Sequence, residues 1–142
     1  MYAVGWGVAQ DYKEAAKWYR LSAEQGNAGA QLQLGFIYYS GQGVLQDYKE
    51  AVKWSRMAAE QGNDGAYELV GLLYEVGRGV AQDNVRAHMW LNLAVASMSG
   101  WSAKTARENR DRIAAKMTPT QIERAQEMAR KCQQSKFKDC GW

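Results

Sequence analysis

Asp11 with Glu14 and Asp47 with Glu50 are carboxylate pairs at a spacing that could share general acid and base work. That work needs a carboxyl group whose pKa is raised by burial. Each pair here instead opens a helical pattern, where the Asp reads as an N-cap and the Glu three residues on completes a capping-box-like pair. His88 is the only histidine, so no two-histidine metal site is available and a Ser-His-Asp relay would rest on this one ring. It reads as a partly exposed helix residue. Gly41-Gln42-Gly43 follows a helix, lacks a third glycine at phosphate-loop spacing and has no Lys-Ser or Lys-Thr after it, so it reads as turn chemistry. Cys132 and Cys140 are too few for a disulfide-rich scaffold. They can pair in an oxidising compartment, or Cys132 can be an ordinary buried thiol. No catalytic, cofactor-binding or metal-binding residue is assigned, and no cofactor is expected.

The elements that position these residues follow from an internal repeat with a period of 36, in which residues 2–28 match residues 38–64 at 18 of 27 positions. Tyr2, Tyr38 and Tyr74 superimpose, as do Gly5, Gly41 and Gly77, then Asp11, Asp47 and Asp83, and finally Trp18, Trp54 and Trp90. Gly41 stands where a helix ending at Ser40 needs a left-handed residue. Asp47 then opens a second helix, along which Ala51, Trp54, Ser55, Ala58 and Ala59 form one stripe of small residues around a large ring. Gly62 and Asn63 stop it, and Ala66, Val70, Leu73 and Tyr74 form the buried face of the next helix. One repeat is therefore two antiparallel helices. The tryptophans fall on the packed stripe, which favours core positions over a stacking ladder for bases or sugars.

With 142 residues, 46% hydrophobic and 11% aromatic, the chain has the content of one domain, and no apolar run approaches membrane-spanning length. Residues 1–100 hold 8 basic and 10 acidic side chains, against 10 and 5 in residues 101–142, so only the tail is basic. The stretch from Met1 to Gln10 has no basic segment followed by an apolar one, so it does not read as a secretory signal.

The repeated Tyr, Gly, Asp, Ala and Trp positions resemble the Sel-one-like repeat, a relative of the tetratricopeptide repeat, over roughly residues 2–98. The resemblance implies an all-α fold, a right-handed α/α superhelix of antiparallel helix pairs, and a scaffolding role in holding other proteins or peptides. It also resembles bacterial members in the segment Met117 to Ile122, which looks like their closing helix pair. Some cysteine-rich exported members have been linked to penicillin binding. A nucleophile of that kind needs Ser-x-x-Lys, whereas Ser102 is followed by Lys at the second position, which counts against a penicillin-recognising hydrolase.

The repeat divides the chain into a truncated first copy (1–28), a second (29–64), a third (65–100) and cap helices with a tail (101–142), all in one domain. Met1 aligns with Ile37 and Leu73, so the first copy lacks almost all of its first helix. The stripe around Ala15, Trp18 and Tyr19 is then expected to be partly uncovered and to support self-association as a homodimer through this end, the alternative being that a longer parent protein was cut here. Residues 102–117 are expected to be helical. Thr118, Pro119 and Gln121 then open a last helix whose face is Ile122, Ala125, Ala129 and Cys132.

If the superhelix follows its tetratricopeptide relatives, the first helix of each repeat lines a concave groove. The groove positions are Leu32, Phe36 and Tyr39 in the second copy, and Glu68, Leu72 and Glu75 in the third; they differ between copies, as a recognition surface would. This apolar and acidic set fits a protein or peptide partner and disfavours a phosphate backbone. The off-pattern Trp6 and Trp101 are further candidate contacts. Arg107, Arg110, Arg112, Arg124, Arg130 and Lys131 lie on the cap helices, where nucleic-acid binding is the alternative to a solvated face. The expected function is thus a non-enzymatic interaction scaffold with a protein or peptide partner and neither nucleic acid nor membrane. The compartment is cytoplasmic, or periplasmic if the two cysteines are bonded.

Overall fold

Helix boundaries in this chain are set by single polar side chains, and the second and third copies use the same ones. The computed structural model describes residues 5–141, with side chains from residue 11 onward. Among these residues there are seven helices: α1 (Gly5–Glu24), α2 (Ala28–Ser40), α3 (Tyr48–Glu60), α4 (Asp64–Val76), α5 (Asn84–Ser97), α6 (Gly100–Ala114) and α7 (Pro119–Gln134). Asn27 and Asn63 cap α2 and α4, each side chain accepting from the amide three residues on, Ala30 and Ala66. Asn63 thus opens the next helix as well as following the last. Gly41 ends α2 in the left-handed conformation, φ 73°, its N–H donating to the Ile37 carbonyl.

Asp47 and Asp83 cap α3 and α5 as expected. The reciprocal half of the capping box is replaced by a longer-range bond. The Asp47 N–H donates to the Tyr38 carbonyl at 2.9 Å and the Asp83 N–H to the Tyr74 carbonyl at 3.0 Å. The cap amide therefore ties the two helices of a repeat together, and the Glu50 side chain is not needed for it. In the first copy the expectation of a cap fails: α1 runs continuously through Asp11, because Gly5 onward is helix and not turn. The side chains of residues 1–10, which include Trp6 and the stretch read as free of a secretory signal, lie outside the described residues.

Small side chains let the helices stack closely. Ala51, Trp54, Ser55, Ala58 and Ala59 are all buried on α3, and Ala66, Val70, Leu73 and Tyr74 on α4, as the stripes predict. α2, α4 and α6 form one layer, joined laterally where Leu32 reaches Gly65 and where Glu68 and Glu75 bond to Asn109 and Arg112. α1, α3 and α5 form the other.

The C-terminal end is organised by α5, which buries His88, Met89, Trp90, Leu91, Leu93 and Ala94 because α4, α6 and α7 all pack on it. α6 and α7 contact α5 more extensively than they contact each other. Thr118 and Gln121 complete the capping box of α7, at 3.1 and 2.9 Å. On α7, Ala125, Ala129 and Cys132 are buried while Ile122 is only partly so.

His88 departs from its expected partial exposure. It is 4% exposed, because α6 covers the side of α5 that an isolated repeat would leave open. Burial foremost, and then the Arg110 guanidinium, lower its pKa, against a smaller opposing effect of Asp111. The folded protein therefore keeps the ring neutral where the unfolded chain would take up a proton. This stability is present above the ordinary value of 6.5 and lost as pH falls below it. His88→Gln should flatten the decline of the urea midpoint between about pH 7 and about pH 5. An unchanged slope would show that the ring is not the group responsible.

Cys132 and Cys140 are disulfide-bonded, which decides between the two alternatives left by the sequence. The bond folds the tail back onto the body: Phe137 stacks on Tyr67 at 5.2 Å, and Arg86 Nε donates to the Gly141 carbonyl at 2.6 Å. With a sequence separation of 8, the closed loop should contribute roughly 2 to 3 kcal/mol. The double variant Cys132→Ser/Cys140→Ser should lose about that much in urea denaturation. Wild-type protein under reducing conditions should fall to the same midpoint, and no shift in either case would contradict the clasp.

Candidate interaction surface

The side chains named for the groove divide into two kinds. Leu32 is half-buried and packs into the core, with its Cδ2 2.8 Å from where a Cβ on Gly65 would lie. Tyr39 is half-buried beside Tyr48, ring centroids 5.4 Å apart, and its hydroxyl accepts from Arg78. Glu68 accepts from Asn109, and Glu75 pairs with Arg112 at 2.6 Å. Leu32, Glu68 and Glu75 face the next helix in their own layer, while Tyr39 meets α3 and the turn after α4. Phe36 and Leu72, at the equivalent position between them, are 45% exposed and half-buried respectively.

The difference between copies therefore has a packing cause. Leu32 and Tyr39 meet α4 and the loop after it, whereas Glu68 and Glu75 meet α6, which bears Asn109 and Arg112. The acidic character of the groove is largely consumed within the chain. Burial pushes the Glu68 carboxyl up, opposed by the Asn109 hydrogen bond, and the Glu75 hydrogen bond raises the Arg112 guanidinium further. Stability contributed by Glu68 is present at acid pH and lost as pH rises through its folded value, opposite in sign to His88.

The remaining surface aromatics cluster on α1. Trp18 is 67% exposed, while Trp54 and Trp90, at the same repeat position, are 3% and 0% exposed. The expected core role holds for Trp54 and Trp90 and fails for Trp18, because no described helix covers α1 as α2 covers α3. Ala15 and Tyr19 beside it are also incompletely covered, as the truncated copy implies. A cavity of about 550 Å³ lies here, between α1 and the Gln33 and Ile37 side of α2. Trp101 is a second exposed ring, 76% accessible, with the Lys104 ammonium 5.0 Å above it. The exposure of Trp18 was legible only from its place in the first copy, and that of Trp101 carried no such signal.

Ser102 is exposed on α6, and Lys104 is engaged with Trp101. Among the described residues, no three His, Cys, Asp or Glu side chains gather as a metal site, and no helix is long and apolar enough to cross a membrane. Of the basic residues on the caps, Arg110 bonds to Asn92, Arg112 to Glu75 and Arg130 to Glu127. This does not leave the uniform row of cations that a phosphate backbone would need.

The Sel1 repeat matches residues 1–27, 28–63 and 65–97. A protective antigen of uropathogenic Escherichia coli strains displaying an SLR fold superposes with a TM-score of 0.79 at 31% identity, over 88% of this chain and 27% of that one. A Sel1 repeat protein from Oxalobacter formigenes superposes at 0.59 and 36% identity, over 65% of this chain and 69% of that one. The chain thus spans about a quarter of the antigen's length. No curated protein matches it. The repeats, the capped helix pairs and these superpositions agree: the chain belongs to the Sel1 repeat family, an α/α solenoid whose members are generally protein-interaction scaffolds.

Proposed function

We propose that this chain is a non-enzymatic scaffold of one domain, which binds an apolar segment of a protein partner on the open face of α2 and α4. The observation that supports this is Phe36, a large ring left 45% exposed between positions that are both used for packing. Leu72 continues the strip on α4, and Trp101 offers a second anchor on α6. Because Glu68 and Glu75 are already bonded to α6, apolar contact and not a basic partner residue supplies the affinity. Trp18 on α1 also gives copies of the chain a reason to associate at micromolar concentration through that face. The closed Cys132–Cys140 pair supports an oxidising compartment such as the periplasm.

Affinity capture from the native host with wild-type chain and with Phe36→Ala/Leu72→Ala tests the groove. The variant should keep its helix content and lose the captured partner, with a loss of about tenfold or more in affinity. Equal capture by both proteins would remove the binding site from this face.

A further inference from the structure

The cations of the two cap helices are not equivalent. Arg110, Arg112 and Arg130 are engaged within the chain, at Asn92, Glu75 and Glu127. Arg124 and Lys131 are exposed, and neither has a hydrogen-bond or ion-pair partner among the described residues. Both lie on α7 with Met128 between them, at spacings of four and three residues, so the three side chains share one face of the helix. Two helical turns put the cations roughly 10 Å apart along the axis.

Opposite this face stands the segment that the disulfide returns to the body. Asp139, Cys140 and Gly141 meet Arg124, Met128 and Lys131 across a cavity of about 240 Å³. The bond to Cys132 ties this second wall to α7 itself. Other contacts hold it in place: the Asp139 N–H donates to Ser135 Oγ at 2.8 Å, Phe137 stacks on Tyr67, and Arg86 donates to the Gly141 carbonyl. Gly141 comes so near the helix that a Cβ on it would lie 3.0 Å from the Met128 Cε. The wall is thus formed before any ligand arrives, which lowers the entropy lost on binding.

We propose that this cavity binds an acidic segment of a protein, with two carboxylates reaching Arg124 and Lys131 and an apolar side chain between them on Met128, and that the closed Cys132–Cys140 bond completes the site. Charge selects the ligand's sign, because two unpaired cations face the single carboxylate of Asp139. The thioether between the cations favours a peptide, whose apolar side chain covers it, over a phosphate chain, which would leave it bare. A span of roughly 10 Å is bridged by about three residues of extended chain. Two glutamates separated by two leucines meet both requirements. Without the disulfide, Asp139 to Gly141 lose their tie to α7, and Arg124 and Lys131 become solvated cations on an open helix face, where ion pairs contribute little.

The probe is the synthetic peptide Gly-Glu-Leu-Leu-Glu-Gly with blocked ends, titrated against the full chain and followed by NMR. Saturable shifts on α7 and on residues 139–141 are expected. Arg124→Gln/Lys131→Gln should weaken binding about tenfold or more, as should glutamine in place of both peptide glutamates. Cys132→Ser/Cys140→Ser, with its helix content checked by circular dichroism, should weaken binding similarly although both cations remain. Asp139→Asn should tighten it, and Phe36→Ala should leave it unchanged, which separates this cavity from the groove proposed above. Absence of saturable binding, or equal binding by Arg124→Gln/Lys131→Gln or by the folded cysteine variant, would overturn the proposal. Tighter binding of a single-stranded oligonucleotide of the same charge would also overturn it, by making the two cations a phosphate site.

Discussion

Trp90→Ala should destabilise the protein by about 3 to 5 kcal/mol, whereas Trp18→Ala should cost less than about 0.5 kcal/mol, although the two residues occupy the same place in their repeats. Trp90 is fully buried in the main core and packs against Tyr67, ring centroids 5.8 Å apart. Its removal leaves a cavity that α4, α6 and α7, all fixed on α5, cannot close. Trp18 is 67% exposed and leaves only solvent behind. Urea denaturation followed by circular dichroism measures both; equal losses would show that α1 is covered as the other helices are.

The second large effect is expected at the junction between repeats. Gly79 has φ +76°, and a Cβ there would overlap the Tyr48 carbonyl group, 2.7 Å from its carbon, and Val52, 2.8 Å from its Cγ2. The turn after α4 lies directly on the first turn of α3, so the atoms met first are backbone and not the far end of a flexible side chain. Gly79→Val combines a left-handed conformation for a β-branched residue with overpacking, so about 3 kcal/mol is the expected loss. Gly26, at φ +95°, has nothing within 4 Å of its Cβ position. Gly26→Ala should therefore lose only the conformational part, about 1 kcal/mol. If the two losses were the same in urea melts, the close approach would carry no energy.

The fold was legible because its determinants are local and recur. Asp47, Asp83, Gly41, Thr118 and the alanine stripe each act within a few residues of themselves, and the period of 36 exposes them together. What was not legible depends on which helix lies alongside. His88 is buried by α6, a helix outside the repeat, and Asp11 is interior to α1 because its turn is replaced by helix. The candidate site shows the same divide. Leu32, Tyr39, Glu68 and Glu75 differ between copies and also have different lateral neighbours, which the spacing alone does not show. Of the six groove positions, Phe36 alone is exposed, at 45%, and nothing in the spacing separates it from the rest. The uncovered α1 stripe was readable, since aligning the copies pairs Trp18 with Trp54 and Trp90 and shows which of them has no preceding helix among the described residues.

Hydroxyl-radical footprinting of the three equivalent indoles, read by mass spectrometry on the native chain at low concentration, addresses the stacked arrangement most directly. Trp18 should be oxidised rapidly while Trp54 and Trp90 stay protected, in keeping with exposures of 67%, 3% and 0%. Comparable oxidation at all three, or protection of Trp18 in the free monomer, would contradict a helix stack in which α3 and α5 are covered and the Trp18 face of α1 is not.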